Sequence, residues 1–239
     1  ATSYQVATGL PRIRYTLLQT ALYLQDRWKS RPNLTLMPGL RYTFQTDPNT
    51  FGNFAPRFGV SWAPSASKKS LVITGHIGLF ASTIDALVTS QAVRFNLGRQ
   101  TSAMFYSVPL SGSSNSAAIF TQYKLAPHLN QSSNWQAQLG LQYEFPKHWV
   151  AEVNEYYTRG WGTLRLRNIN SPVKGDPYGL RPFVPNLNMQ EFQQSGRFGG
   201  DFQYVRIEQN SLKRIQLFLG YFRSSVRSDA DTPLTEPQS

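Results

Sequence analysis

The chain has 239 residues, of which 40% are hydrophobic and 13% aromatic, and it contains no run of about 18 apolar residues that would form a transmembrane helix. It has no cysteine, which excludes disulfides, thiolate catalysis and cysteine-bound metals within this sequence. The net charge of +11 favours anionic partners. The basic residues are scattered, however, and the two basic doublets, 68–69 and 213–214, fall in predicted turns, so nucleic acid is not an expected partner.

Alternation of apolar and polar residues predicts eight β-strands, because a period of two places successive side chains on opposite faces. In chain order the predicted strands are 13–29, 33–45, 57–62, 71–80, 134–145, 149–158, 199–207 and 214–221. The first is long and mixed in pattern. In the clearest, 134–145, one face carries only Asn, Gln, Gly and Glu, and the other carries Trp135, Ala137, Leu139, Leu141, Tyr143 and Phe145.

The length and the aromatic ends of segment 134–145 favour a membrane-spanning strand. Strands of soluble proteins average about five or six residues, whereas a tilted strand needs roughly nine to eleven residues to cross a bilayer. Trp135 at one end, with Tyr143 and Phe145 at the other, matches the two aromatic girdles of an outer-membrane barrel.

The predicted connections alternate between short and long. Short ones lie at 30–33, 64–67, 146–148 and 209–211, and longer ones lie near 46–53, 83–132, 159–195 and after 225. Tight periplasmic turns and long extracellular loops are typical of outer-membrane barrels. The sequence therefore predicts an all-β fold, an antiparallel transmembrane β-barrel segment of about eight strands with short periplasmic turns and long extracellular loops.

Several short phrases occur in an order and spacing that one family of barrels shares. They lie at 23–28, 33–36, 39–42, 53–60, 75–80, 135–144, 146–154 and 221–227. Together they resemble the barrel of TonB-dependent receptors and, more narrowly, the Oar-like receptors that carry an N-terminal carboxypeptidase-regulatory-like domain. The resemblance covers about residues 15–235. Glu155 departs from it, since the family usually has an aromatic residue at this lipid-facing position.

The resemblance implies a location in the outer membrane and a role in energised import of a scarce ligand. It implies that residues 1–239 are part of a single receptor barrel domain, with the plug and the remaining strands outside this sequence. The implied partners are outer-membrane lipid and lipopolysaccharide, a small-molecule, sugar or peptide ligand, and TonB, which would be contacted through parts of the protein outside this sequence.

The sequence predicts no catalytic residue, no cofactor and no metal site, so the chain is not expected to be an enzyme. His76, His128 and His148 have no second histidine or carboxylate at a metal-ligand spacing. Glu152 and Glu155 are three residues apart on a predicted strand and so point to opposite faces, which argues against a catalytic pair. Asp229 and Asp231 form an Asp-x-Asp without the glycine and further oxygen ligands of a calcium loop; they fit the family resemblance instead.

Four residues are candidates for contact with the ligand: Arg159, Trp161, Arg165 and Arg167. They follow the predicted exit of strand 149–158 and would form a basic, aromatic loop base. The alternative is that this loop packs on the rim of the barrel and contacts lipopolysaccharide phosphates.

Two other kinds of protein stay open at this stage. A complete eight-stranded barrel that acts as an adhesin or structural protein has an allowed strand number, but its interior would be filled with side chains. A soluble β-sandwich that binds acidic polymers would bury the apolar face of 134–145 in a core. The Gly-, Ser-, Thr- and Gln-rich inward faces favour a wide lumen over the filled interior of a small barrel, whereas solubility without detergent would distinguish the sandwich.

Overall fold

The alternating segments form one large curled sheet in the computed structural model, which describes residues 3–65, 70–106, 118–173, 179–209 and 216–230. Within these ranges the strands are β1 (Ser3–Gly9), β2 (Gln19–Gln25), β3 (Trp28–Arg31), β4 (Leu34–Thr46), β5 (Asn49–Trp62), β6 (Leu71–Ser82), β7 (Gln100–Tyr106), β8 (Ala118–Leu125), β9 (Ser132–Phe145), β10 (Trp149–Asn168), β11 (Leu187–Gln209) and β12 (Leu217–Ser228). A helix, α1, spans Ala86–Arg94, and a 3-10 turn spans Pro146–His148. None of the helices in this part of the chain has the length and apolar character needed to cross a bilayer.

Ten of the strands follow one path through the sheet, in the order β1-β7-β8-β11-β10-β9-β6-β5-β4-β2. Strand β3 pairs with β4, and β12 pairs with β11. Neighbours are antiparallel except β8 and β11, which are parallel. The molecule is mostly β and curls into a half-barrel, as an outer-membrane barrel wall does. The predicted all-β, antiparallel barrel architecture is thus confirmed in its class.

The hairpin of β9 and β10 confirms the clearest predicted strand. β9 has 14 residues and pairs with β10 without a break from Trp149↔Phe145 to Trp161↔Ser133. Because direct partners on antiparallel strands share a face, the apolar residues of both strands lie together, as Leu141 and Val153 do. The predicted turn at 146–148 is the 3-10 turn that joins them.

The predicted count of eight strands is not confirmed, because the sheet contains twelve in the described ranges. Every predicted segment with described residues contains a strand, but segment 13–29 is irregular at 13–18 and then divides into β2 and β3. Strands β1, β7 and β8 were not predicted. They pair with each other or with β11, at one end of the strand path, and their sequences lack long alternation.

The predicted long connection near 46–53 is wrong. Strands β4 and β5 are joined by Asp47 and Pro48 alone, and Gly52, with φ of 81°, lies within β5. An Asp-Pro pair favours a turn, so the polar residues here close a tight hairpin. The predicted turns containing the doublets 68–69 and 213–214 lie outside the described residues.

The long connection between β6 and β9 builds a small packed unit, here called the cap, from α1, β7 and β8. Asp85 caps the helix by accepting a hydrogen bond from the Leu87 N–H at 2.7 Å. The core of the cap consists of Ile84, Val88, Leu129, Leu164, Leu166 and Phe192. Gln45, fully buried at the end of β4, ties the β4–β5 hairpin to the cap, because its side chain bonds both the N–H and the carbonyl of Ile84.

Candidate functional site

The two faces of the sheet differ in chemistry. One, here called the cavity face, carries polar side chains on consecutive strands, among them Arg57, His76 and Gln138. The other, here called the outward face, carries exposed apolar residues such as Leu139 and Val153. In a transmembrane barrel the apolar face meets lipid and the polar face lines the lumen. The cavity face is therefore the candidate ligand-binding surface.

A cavity of about 800 Å³ lies on the cavity face, between β2 and β11. Residues with amide, hydroxyl and aromatic side chains line it together with one guanidinium, one imidazole and a few aliphatic residues: Gln25, Met37, Arg57, Phe58, His76, Ile77, Phe80, Asn134, Gln136, Ala137, Gln138, Tyr156, Tyr157, Thr158, Phe198 and Phe202. A concave, partly apolar surface with a few convergent polar groups is the usual form of a small-ligand site.

Arg57 and His76 are positioned by their neighbours on β5 and β6. The Arg57 guanidinium lies over the Phe80 ring, 4.3 Å from its centroid, in a cation–π contact. The His76 ring crosses the backbone of Gly59, where an added Cβ would lie 2.6 Å from Nδ1. Glycine at this position therefore leaves the space that the imidazole occupies.

A chain of hydrogen bonds extends from the cavity along the same face. Gln138 Nε2 donates to Asn154 Oδ1 at 3.1 Å, and Asn154 Nδ2 donates to Glu152 Oε1 at 2.7 Å. Glu152 pairs with Arg206 at 2.6 Å, and Arg206 also pairs with Glu208 at 3.4 Å. Charges with direct partners on a partly buried surface hold a fixed arrangement, so this row gives the wall a defined polar pattern.

Tyr156 and Tyr157 illustrate how the strand divides its side chains between the two faces. The Tyr156 hydroxyl accepts a hydrogen bond from Gln138 Nε2 at 3.2 Å and lines the cavity. Tyr157 lies on the opposite face by register, with partners Ala137 and Asp201, and it also borders the cavity. Tyr221 on β12 is exposed on the outward face and does not line the cavity, so it is a matched control for Tyr156.

The four residues predicted for ligand contact lie on a strand rather than at a loop base, so that part of the prediction is wrong. β10 continues to Asn168 because β11 begins at Leu187 and pairs with the additional residues. Arg159 and Trp161 are on the outward face, away from the cavity, with register partners Trp135 and Arg197. Beyond an irregularity in β10, Arg165 pairs with Asp229 at 3.9 Å and Arg167 is exposed.

The residues that line the cavity are harder to recognise in the sequence. Arg57, Gln138 and Tyr156 each occupy the polar phase of an alternating strand. The alternation shows that these residues lie on the polar face of the sheet. It does not reveal which positions on it are concave, because concavity depends on the curl of the whole sheet. In the described ranges, no cluster of three or more His, Cys, Asp or Glu side chains is arranged to hold a metal ion.

Sequence comparison matches the chain to two family models. The model described as "Outer membrane beta barrel domain" covers residues 48–221, and the model described as "TonB dependent receptor-like, beta-barrel" covers residues 2–86. No protein among the curated sequences matches this chain. The matched families are membrane barrels and receptors rather than enzymes.

Solved structures of outer-membrane receptors share the fold. The outer membrane transporter YddB from Escherichia coli is similar with a TM-score of 0.64 and 18% identity, over 88% of this chain and 25% of that one. The siderophore receptor PirA from Pseudomonas aeruginosa has a TM-score of 0.59 and 14% identity, over 89% of this chain and 35% of that one. The ferric enterobactin receptor PfeA, also from Pseudomonas aeruginosa, has a TM-score of 0.59 and 14% identity, over 92% of this chain and 31% of that one. The chain thus spans between a quarter and about a third of these proteins.

Proposed function

Because the chain belongs to the outer membrane beta barrel family and lies in the outer membrane, we propose that it is a section of the wall of a TonB-dependent receptor, of the Oar-like kind, that imports a scarce ligand. The whole of 1–239 would then be part of a single barrel domain, completed by a plug and further strands. Large transporters of this architecture have about 22 strands around a plugged lumen.

The observation that carries this proposal is the division of one continuous sheet into a polar, concave face and an apolar belt. The cavity face holds a hydrogen-bonded row from Gln138 to Glu208, whereas the outward face exposes Leu139, Leu141 and Val153. A side-chain-filled small barrel would pack its inward residues against each other across the interior. Here the inward residues line an open cavity of about 800 Å³ instead.

The sheet edges support a larger assembly. Within the described residues strand β12 pairs only with β11, and strand β2, at the far end of the path, pairs only with β4. Backbone N–H and C=O groups without a hydrogen-bond partner are not stable in the hydrocarbon core, because each one costs several kcal/mol of free energy. Both edges therefore call for neighbouring strands in the membrane.

The cavity favours a ligand with both aromatic or apolar surface and hydrogen-bonding groups. Phe80, Phe198 and Phe202 offer ring faces, while Gln138 and Tyr156 offer an amide and a hydroxyl. Arg57 supplies a positive charge for an anionic group. Ferric siderophores, the ligand class in the names of two similar structures, satisfy this description, and so do acidic sugars and peptides. TonB would act on parts of the protein beyond this section.

The test is uptake by cells that carry the full-length receptor in place of a deleted gene. A panel of radiolabelled ferric siderophores, cobalamin, an oligosaccharide and a peptide is offered with and without functional TonB. One probe is expected to enter in a TonB-dependent way. Tyr156→Ala is expected to lower that uptake several-fold, and the matched control Tyr221→Ala, on the outward face, to leave it near the wild-type rate. Equal effects of both variants, or uptake of no probe, would count against a ligand site on the cavity face.

The mass of the native polypeptide in the outer-membrane fraction separates the receptor from the small-barrel alternative. A polypeptide several times larger than the 27.1 kDa of this sequence is the expected result. A mass near 27.1 kDa would instead favour a small adhesin or structural barrel and end the transport proposal.

A further inference from the structure

The cavity face is not polar across its whole width. On β9 and β10 it carries amides and carboxylates, but on β11 and β12 it carries a series of aromatic rings, here called the aromatic row: Phe198, Phe202, Tyr204, Phe222 and Phe218. Phe222 lies on this face because it pairs with Tyr204, and Phe218 because it pairs with Glu208. Exposed rings on the lumen side of a barrel need a physical reason, since that side is usually polar.

The rings of the aromatic row follow one another along the strands. Phe202 and Phe222 stack with their centroids 6.3 Å apart and an angle of 28° between their planes. Below them the Phe218 ring extends over Gly220 toward Tyr204: a Cβ added at Gly220 would lie 3.1 Å from the Phe218 ring and 3.8 Å from the Tyr204 ring. The rings from Phe202 to Phe218 therefore form one connected series.

Two glycines leave the space in which the end rings of the row lie against the wall. A Cβ added at Gly160 on β10 would overlap the Phe198 ring, and Gly220 is covered by Phe218 in the same way. Both rings thus lie over backbone rather than between neighbouring side chains. Phe218 and Phe222 still expose 65% and 61% of their surface, so the row presents ring faces to a molecule in the lumen.

The aromatic row begins in the cavity and continues beyond it. Phe198 and Phe202 line the cavity, whereas Phe222 and Phe218 do not. Phe218 pairs with Glu208, ten positions along β11 from Phe198. At about 3.3 Å per residue and a tilt of about 45°, the row extends roughly 33 Å along the strand and roughly 23 Å along the membrane normal. It therefore crosses most of a hydrocarbon core about 30 Å thick.

The direction of the aromatic row follows from the connections at its two ends. Phe218 lies near Gln209, the register partner of Trp149, and so at the end of the strands where the tight turn 146–148 lies. The cap and the connection 169–186 lie at the other end. Tight turns face the periplasm in these barrels and long connections face the exterior. The row thus leads from the cavity toward the periplasmic side.

The charged groups beside the aromatic row are already paired with one another. Arg206 lies 2.6 Å from Glu152 and 3.4 Å from Glu208. Asn154, the register partner of Tyr204, donates its amide to Glu152 at 2.7 Å. Charges that satisfy each other bind a passing molecule less strongly than free charges do. The ring faces are therefore the surface on which a molecule below the cavity makes its contacts.

We propose that the aromatic row is the path by which the imported molecule leaves the cavity toward the periplasm, and that this molecule carries aromatic rings that stack on the row. Such a path presupposes the proposed transport function. Stacking contacts between rings are individually weak. A series of weak, similar sites allows a molecule to enter each site and to leave it again. Phe202, Phe222 and Phe218 provide successive contacts of this kind.

The test separates binding in the cavity from movement along the aromatic row. Cells that carry the full-length receptor in place of the deleted gene are offered radiolabelled probes with aromatic rings, namely ferric enterobactin, cobalamin and a phenylalanine-containing peptide. Matched probes without aromatic rings are ferrioxamine B, maltohexaose and an alanine-containing peptide. Binding is measured in cells without functional TonB and uptake in cells with it. The probe that enters is expected to be an aromatic one.

Variants of β12 then test the path itself. F218A/F222A removes two rings that do not line the cavity. It is expected to lower uptake of the entering probe about five- to tenfold and to leave its Kd within about twofold of wild type. The control L219A/Y221A truncates the adjacent outward positions of the same strand and is expected to transport at nearly the wild-type rate. F218Y/F222Y restores the ring faces and is expected to recover most of the uptake.

Entry of vancomycin distinguishes a transport path from simple packing against a plug, because an intact outer membrane excludes this antibiotic. F218A/F222A is expected to keep wild-type vancomycin resistance. A rise in TonB-independent vancomycin entry would overturn the proposal, since it would show that the rings hold the plug in place.

Undiminished uptake in F218A/F222A, a parallel loss of binding affinity, or an equal loss of uptake in L219A/Y221A would also overturn the path. Entry of only the probes without aromatic rings would overturn it as well and would leave the transport function standing. Uptake of no probe by the wild type would contradict the transport function itself, and the path with it.

Discussion

Glu155 offers the sharpest energetic test of how the sheet is placed in the membrane. It lies on the outward face, with register partners Leu139 and Gln203, six positions along β10 from each of Trp149 and Trp161. Tryptophans on the lipid face of a barrel lie at the two membrane interfaces. At about 3.3 Å per residue and a tilt of about 45°, Glu155 is therefore about 14 Å from either interface, close to the bilayer midplane. Its carboxylate makes no hydrogen bond or ion pair with the described residues.

Glu155→Leu is expected to stabilise the barrel. Lys and Arg cost about 2–4 kcal/mol on the lipid face at the midplane, and Glu costs somewhat less. Removing the carboxylate and adding an apolar side chain should therefore raise the free energy of unfolding by about 1–3 kcal/mol. Glu155→Gln, which removes only the charge, is expected to recover a smaller part of this gain.

The assay is unfolding of the full-length protein from lipid vesicles in guanidinium chloride, followed by tryptophan fluorescence. Glu144→Gln is the control, because Glu144 is exposed near the short turn and its change should stay within about 0.5 kcal/mol. A loss of stability in Glu155→Leu would refute the reasoning. It would mean that Glu155 has a polar partner in the assembled protein and does not face lipid.

Three further perturbations address the cavity face and the cap. Glu152→Gln and Arg206→Leu, combined in a double-mutant cycle on the same unfolding transition, are expected to show a coupling free energy of about 1–2 kcal/mol, because the pair is half-buried and close. Coupling near zero would show that this ion pair does not form in the folded protein. Asn170→Ala removes a buried side chain that bonds four backbone groups, and it should speed hydrogen exchange at 183–187 without changing exchange in β9. The expected loss of local stability is about 2–3 kcal/mol. Phe192→Ala leaves a void in the centre of the cap core and should lower the local stability of the cap by about 3–4 kcal/mol. The expected readout is protease cleavage in the cap before the barrel unfolds. Unchanged protease resistance would show that the cap does not depend on this core.

Much of the barrel wall is predictable from local sequence. A strand with one face in lipid and one in a polar lumen must alternate, so β9 can be assigned within two residues and its faces correctly. The fold class and the short turn at 146–148 follow from the same rule. Glu152 and Glu155, predicted on opposite faces, are found on the cavity face and the outward face respectively.

The remainder depends on contacts that alternation does not encode. β8 pairs in parallel with β11 across about 70 residues of sequence, and β1 pairs with β7 across about 95, which no local pattern specifies. The extension of β10 past Thr158 is supported by β11, so the residues from Arg159 to Arg167 change from a predicted loop base to a strand. This position places Arg159 and Trp161 on the outward face, away from the cavity.

The most direct test of the account is an accessibility scan along β9 in the full-length protein in native outer membranes. This sequence has no cysteine, so single cysteines introduced from 135 to 143 report individually within it. A fluorophore attached to the cysteine at 135, 137, 139, 141 or 143 is expected to be quenched by nitroxide lipids, while the thiols at 136, 138 and 142 are expected to react with a water-soluble maleimide. Alternation with this phase would establish that the apolar face meets lipid and the cavity face meets water. Uniform reactivity, or the opposite phase, would contradict the assignment of the two faces and the transport proposal built on it.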